Sequence, residues 1–340
     1  MKMIFKRLKN RKPVIAFVVF ICVMLIIPML YRYEKIKPFN TDLLNELKNY
    51  DPEVVFIGNS MLYTRIDAEY YSQLSGKRSF LLKVPGLTSA GWYLLFKNFV
   101  TEMNNKPDVV YIFFRDTLLT DPSFRTTGKY LFRLQRISHR DDVVFRNIVF
   151  KNKTGMERFE FYIGKIYPFL SYKIQIDRSI KNANDVIANS LIAGEFSKDE
   201  INQLFDLNNF RSVQSDGENI NSSDDTKFNN FRDRLPGSFL PLIVDMAKKK
   251  NIKVVFVRVQ KRPVGGIPPY QSPELIEYIS ELKSYIESNN LIFYDFTGDS
   301  RITLEMYGSG DHINEKSMKK YTKLFHDSLK DKIKVLPKPR

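Results

Sequence analysis

Only three histidines occur in these 340 residues, and one of them stands in a setting suited to catalysis. His312 lies in Gly310-Asp311-His312-Ile313-Asn314, beside a carboxylate and after the turn Gly308-Ser309-Gly310. Far upstream, the apolar run Val54-Val55-Phe56-Ile57 enters Gly58-Asn59-Ser60-Met61. A serine hydroxyl is a weak nucleophile until a base takes its proton, and imidazole is suited to that task near neutral pH. A nearby carboxylate can hold the ring and stabilise its charged form. Ser60, His312 and Asp311 thus carry the residue types for attack on an ester carbonyl, with the Ser60 amide turned towards the developing oxyanion. His139, between Ser138 and Arg140, and His326, next to Asp327, read as surface or structural residues.

Other chemistries fit less well. A phosphate-binding loop needs more glycines and a lysine after the strand, and Met61-Leu62-Tyr63 is bulky. The Gly-x-Ser-x-Gly elbow is absent because Leu62 stands at its last position. Three scattered histidines and a single cysteine, Cys22, make no metal cluster, and no cofactor is expected. One cysteine also rules out an intrachain disulfide.

The net charge is +15, but six positive charges lie in the first twelve residues and a net four in 330–340, which leaves +5 for the body. With no nucleic-acid motif in view, no nucleic-acid partner is expected. The 18 residues Val14 to Tyr31 carry no charge and are long enough to span a bilayer. The basic stretch before them favours a cytoplasmic N-terminus and an extracytoplasmic body. A cleaved signal peptide is the competing reading; Pro28-Met29-Leu30-Tyr31 is a poor cleavage context. The expected organisation is a basic N-terminus (1–12), an anchor in the cytoplasmic membrane (13–31), a connector or stalk (32–50), one α/β domain (51–330) and a basic tail (331–340).

Five apolar runs bounded by turn residues read as strands: Glu53–Ile57, Ser79–Val84, Asp108–Phe114, Lys253–Val259 and Leu291–Phe296. Their continuous apolar character suits a parallel sheet covered on both faces. Helical patterns alternate with them: Thr88 to Met103, Phe239 to Lys250, a helix capped by Ser272-Pro273 with the stripe Leu275, Ile276, Ile279, Leu282 and Ile286, and a last one capped by Asn314. Strand–helix alternation predicts a doubly wound α/β sheet with its ligands at the strands' C-terminal edge. The alternation breaks over 117–236, read as a mostly helical insertion that either shapes a substrate site or covers the sheet.

Together the segments resemble the SGNH/GDSL hydrolase superfamily. The Gly58-Asn59-Ser60 turn resembles its nucleophile block, in a form similar to envelope-glycan acyl-transfer branches. Pro85-Gly86-Leu87 resembles the glycine block that serves the oxyanion hole, and His312-Ile313-Asn314 resembles the end of the histidine block. Two positions depart: Arg115 in Phe113-Phe114-Arg115-Asp116 stands where an oxyanion asparagine is usual, and Ser309 stands three before the histidine in place of aspartate. The resemblance implies a flavodoxin-like three-layer α/β/α fold. It also implies a Ser60 nucleophile, a His312 base, and an oxyanion hole of Ser60, Gly86 and Arg115. Arg115 has two other expected roles, holding an anionic glycan or pairing with Asp116. His312 is oriented by Asp311, by Asp295 or Asp299, or by a backbone group. Asn59, Asp116 and Asn314 are expected to support the site or touch substrate.

The resulting expectation is a membrane-anchored serine esterase or O-acyltransferase, acting on O-acetyl groups of a cell-envelope or secreted polysaccharide. Its implied partners are the lipid bilayer, an acylated glycan and a multi-pass membrane-bound O-acyltransferase. The alternative is a non-catalytic glycan-binding or assembly protein of the same fold.

Overall fold

The computed structural model describes residues 16–17, 19–23, 39–121, 129–139, 142, 145, 147, 155, 158, 230–263, 269–308 and 310–334. The chain divides into two units, residues 1–38 with 153–196 and residues 39–152 with 197–340. In the first, residues 16–17 and 19–23 are helical, with Phe17, Val19, Phe20, Ile21 and Val23 exposed. No helix among the described residues is long and apolar enough to cross a membrane. The rest of the expected anchor, most of the insertion and residues 335–340 of the tail lie outside the described residues.

The second unit alternates strand and helix: α1 (Thr41–Tyr50), β1 (Val54–Gly58), α2 (Ser60–Arg65), α3 (Ala68–Ser75), β2 (Ser79–Lys83), α4 (Ser89–Asn98), β3 (Val109–Phe114), α5 (Lys129–Gln135), α6 (Phe231–Arg234), α7 (Leu240–Lys250), β4 (Val254–Arg258), α8 (Pro273–Ser288), β5 (Ile292–Asp295) and α9 (Met318–Lys334). All five strands are parallel, in the order β2-β1-β3-β4-β5. This is the flavodoxin order, and the chain reverses its winding direction between β1 and β3. A crevice at the C-terminal ends of those two strands follows from that reversal.

Burial follows position in the sheet. Every residue of β1, β3 and β4 is buried, whereas the edge strands β2 and β5 are partly open. Within the central strands, side chains alternate between two cores. Val55, Ile57, Val110, Ile112 and Phe114 meet α1, α4, α7 and α8 on one face. Phe56, Tyr111, Phe113, Val255 and Val257 meet Leu62 of α2, Tyr71 of α3 and Tyr321, Phe325 and Leu329 of α9 on the other. The result is three layers, α/β/α.

Two expectations change. The expected stalk is helical over Thr41–Tyr50, but α1 lays Leu43, Leu44 and Leu47 on the core, with Leu47 fully buried, so this part of the connector is no free stalk. In α8 the stripe takes Tyr278, while Ile276 is 57% exposed. Counted from Leu275, the inward face of a helix runs through positions +3, +4 and +7, which are Tyr278, Ile279 and Leu282, and Ile276 falls off that face.

Gly58 ends β1 where the chain doubles into α2. A Cβ there would stand 2.5 Å from Leu62 Cβ and 3.3 Å from Phe113 Cβ. Gly58→Ala should therefore cost about 1–3 kcal/mol through forced overpacking. Chemical denaturation reads it directly, and an unchanged midpoint contradicts the close packing.

Candidate active site

Ser60 opens α2 directly after β1, and Asn59 caps it: the Asn59 side-chain oxygen accepts from Met61 N at 3.0 Å. The Asn59 amide nitrogen donates to Leu87 O at 3.1 Å. One buried side chain thus uses both halves of its amide, fixing the serine turn and tying the 85–87 turn beside it. That dual use places Asn59 in a supporting role. Gly86 follows β2 in this turn at φ 73, and a Cβ there would strike Tyr130 Cε1 at 2.4 Å. The Ser60 amide, in the first turn of α2, has no intrahelical acceptor by construction.

His312 reaches this turn from 252 residues away. Its Nε2 lies 3.0 Å from Ser60 Oγ, a hydrogen-bond distance between partly buried groups. The loop that carries it is pinned along its length. Tyr307 and Ile313 form an antiparallel bridge, and Gly308 N donates to His312 O at 2.8 Å. Asn314 accepts from Ser317 N at 2.9 Å, donates to Glu305 O at 2.7 Å, and so caps the turn leading into α9. Ser309 lies outside the described residues.

Three arginines grip the same loop. Arg65, fully buried on α2, donates to Asp311 O at 2.9 Å and Gln260 O at 3.0 Å. Its guanidinium sits between the rings of Tyr307 and Tyr321, at 5.9 and 5.6 Å. Burial pushes the Tyr307 phenol up to about 12, with Arg65 pulling against it, so the ring stays neutral at physiological pH. Arg115, at the end of β3, is paired with the Asp311 carboxylate. Arg262 N donates to the other Asp311 oxygen at 2.8 Å, and the Arg262 side chain donates to Gly308 O, also at 2.8 Å.

These contacts revise several expected roles. Asp311 engages Arg115 and Arg262 with its carboxylate oxygens, so it anchors the histidine loop instead of serving as a dedicated orienter of the ring. Arg115 spends its nearest nitrogen on Asp311, which makes it a positioning residue before an oxyanion donor. It does not pair with Asp116. Asp295 accepts from Arg258 and Thr297, and Asp299 from Arg301, so both are committed elsewhere. Asp116, at φ 45, binds Arg258 at 2.8 Å and Lys261 at 2.9 Å. Arg258 also holds Gln271 at 2.9 Å. This network stitches together the C-terminal ends of β3, β4 and β5 and leaves Asp116 structural.

Arg65, Arg258 and Arg262 were not foreseen. Arg258 had a signal, a charge near the end of the apolar run 254–259; Arg65 had none, because two of its acceptors are backbone carbonyls 195 and 246 residues away. Of the other histidines, His139 stacks on Phe39 at 4.2 Å, and His326 packs edge-on against Tyr71 at 5.8 Å, so neither joins the site. Among the described residues no cluster of histidine, cysteine or acidic side chains could hold a metal ion.

No protein-family model and no curated protein matches the chain. Among solved structures it is similar to a "putative acylhydrolase" from Bacteroides fragilis, at 12% identity and a TM-score of 0.36, over 82% of this chain and 87% of that one. It is similar in the same degree, 12% and 0.36, to a GDSL-like lipase from Bacteroides thetaiotaomicron, over 83% and 87% of the two chains. Likeness at this level adds nothing to the geometry above, on which the fold and the site rest.

Removing the Asp311 carboxylate strands a partly buried guanidinium and a backbone N–H. Asp311→Ala should cost about 3 kcal/mol in denaturant unfolding, and Asp311→Asn less; equal stability to the parent would show that the grip is dispensable. For Asp116, burial pushes the carboxyl up, but Arg258 and Lys261 override it and hold its pKa below the usual range. A depressed folded pKa gives stability that is present above the unfolded value of about 3.9 and lost as pH falls through the folded value. The stability gap between parent and Asp116→Asn should therefore be widest at neutral pH and close below about pH 4. A gap independent of pH would contradict the ion network.

Proposed function

We propose that the chain is an SGNH-like serine esterase or O-acyltransferase, held in the cytoplasmic membrane by residues 13–31 with its α/β domain outside. Its substrate is an acylated, most simply O-acetylated, cell-envelope or secreted polysaccharide. The observation that supports the chemistry is the 3.0 Å approach of His312 Nε2 to Ser60 Oγ at the sheet's C-terminal edge. The glycan and the bilayer rest on the resemblance and on the apolar run 14–31.

In this reading His312 Nε2 takes the hydroxyl proton as Ser60 Oγ attacks the ester carbonyl. The carbonyl π pair moves onto oxygen, where the Ser60 and Gly86 amides receive it. Collapse breaks the bond to the sugar oxygen, which leaves as an alcohol with the proton from His312. Water then attacks the acyl-serine with His312 again as base, releasing the acid and restoring Ser60. If a second sugar hydroxyl attacks instead, the acyl group is transferred. A multi-pass membrane acyltransferase is a fitting source of acyl groups in that case. Asp311, Arg115, Arg65 and Arg262 act through the loop that sets the position of His312.

Treatment of the full chain in detergent micelles with a fluorophosphonate tests the nucleophile. The expected adduct maps to Ser60 by mass spectrometry, vanishes in Ser60→Ala and forms about a hundredfold or more slowly in His312→Ala. No adduct on folded protein would leave the non-catalytic glycan-binding or assembly role in its place.

A further inference from the structure

A cavity of about 400 Å³ lies beside the serine turn, walled by Asn40, Tyr63, Lys83, Pro85, Arg133 and Arg136 among others. Its place in the fold is set by the sheet. Lys83 pairs in register with Gly58, two residues before Ser60. Tyr63 lies on α2, the helix that Ser60 opens. Pro85 belongs to the turn that Asn59 ties to the serine.

Three basic residues, Lys83, Arg133 and Arg136, line this space, and its described walls carry no carboxylate. Several other surface cations are ion-paired, as Lys77 with Asp108, Lys97 with Asp142 and Lys323 with Asp327. Among the described residues, no ion pair to Asp or Glu involves Lys83, Arg133 or Arg136. The Lys83 ammonium sits 3.9 Å over the Tyr63 ring. Lys83 is open along part of its length, yet the packing about its charged end disfavours the ammonium and lowers its pKa. Desolvation likewise lowers Arg133, whose guanidinium donates to Pro85 O. Three residues of like charge line one concave, partly desolvated surface, and an anion docked there meets all three.

We infer that this cavity binds an acidic group of the substrate, a carboxylate or phosphate on the glycan, next to the unit whose ester meets Ser60. This rests on the proposed esterase or transferase reading and narrows its substrate to an anionic polysaccharide. Guanidinium forks bind carboxylate and phosphate oxygens in pairs, which suits Arg133 and Arg136; the Lys83 ammonium adds a point charge. The docked acid fixes the register of the polymer, so that a neighbouring acyl ester reaches the nucleophile.

The test is equilibrium binding to the full chain in detergent micelles, with three unacylated probes: a galacturonic acid trimer, a glycerol phosphate trimer and neutral maltotriose. At least one acidic probe should bind about tenfold or more tightly than maltotriose, with an affinity that falls as salt rises. Which acidic probe wins identifies the group as carboxylate or phosphate. The double variant Lys83→Gln/Arg136→Gln, in which neither lost side chain supports backbone, should lose about tenfold or more of that affinity. Lys83→Arg/Arg136→Lys should retain most of it, and a melting curve checks that each variant is folded. Equal binding of all three probes, or acidic binding untouched by the double Gln variant, overturns the inference. The readout needs no turnover. A chain that selects acidic probes but takes no fluorophosphonate keeps the anion cavity and loses the esterase. One that is labelled on Ser60 but does not discriminate loses the cavity alone.

Discussion

The architecture of the site depends on how one residue, Asp311, is held. Its backbone oxygen takes a bond from buried Arg65, and its carboxylate meets Arg115 on one side and the Arg262 amide on the other. Charge-assisted bonds of this kind contribute about 1.5–3 kcal/mol each, more than a neutral pair. They come from three separate elements: α2, the end of β3 and the segment after β4. The 308–312 stretch, which has no apolar side chain between the buried Tyr307 and Ile313, is thereby fixed against the sheet edge, and His312, the residue after Asp311, inherits that position. A carboxylate next to a histidine in sequence reads as its partner. Here it works one step removed, by holding the backbone from which the ring projects.

The serine side is built by different physics. β1 is buried on both faces, so its end is rigid, and Gly58 permits a turn too tight for any Cβ. Asn59 then spends both halves of its amide to set the turn. Carboxylate in its place would lack the donor that holds Leu87 O. The two sides share a member, because Arg65 sits five residues after Ser60 on α2 and grips the histidine loop directly. Ser60 and His312 are in this way registered through one buried guanidinium cradled by Tyr307 and Tyr321.

Positive charge is used in two ways around this edge. Arg65, Arg115, Arg258 and Arg262 are consumed internally, by carbonyls and carboxylates that order the loops. Lys83, Arg133 and Arg136 face a cavity without acidic walls. The overall excess of basic residues thus has a local meaning that composition alone cannot express: part of it is structural mortar, and part lines a cavity next to the serine turn.

Much of this was legible in the sequence, for a local reason. Strands such as 54–57 and 109–114 are near-continuous apolar runs, and period, length and flanking turn residues suffice to find them. The serine turn, the 85–87 turn and the histidine segment follow from their places after strands, and the parallel α/β class follows from alternation. Pairing was not legible. Asp311 meets Arg115 across 196 residues and Asp116 meets Arg258 across 142, although each had nearer candidates in sequence. Arg115 and Asp116 are neighbours just past β3, but Asp116 turns the chain there at φ 45 and each side chain finds a distant partner, so proximity along the chain misled. Which faces of α1 and α8 are buried was likewise settled by what lies opposite them. The sequence by itself determined the elements and the chemistry at their ends, because those depend on neighbours a few residues away. Only the tertiary structure decided which charge answers which, because that depends on the sheet order bringing distant strand ends to a common edge.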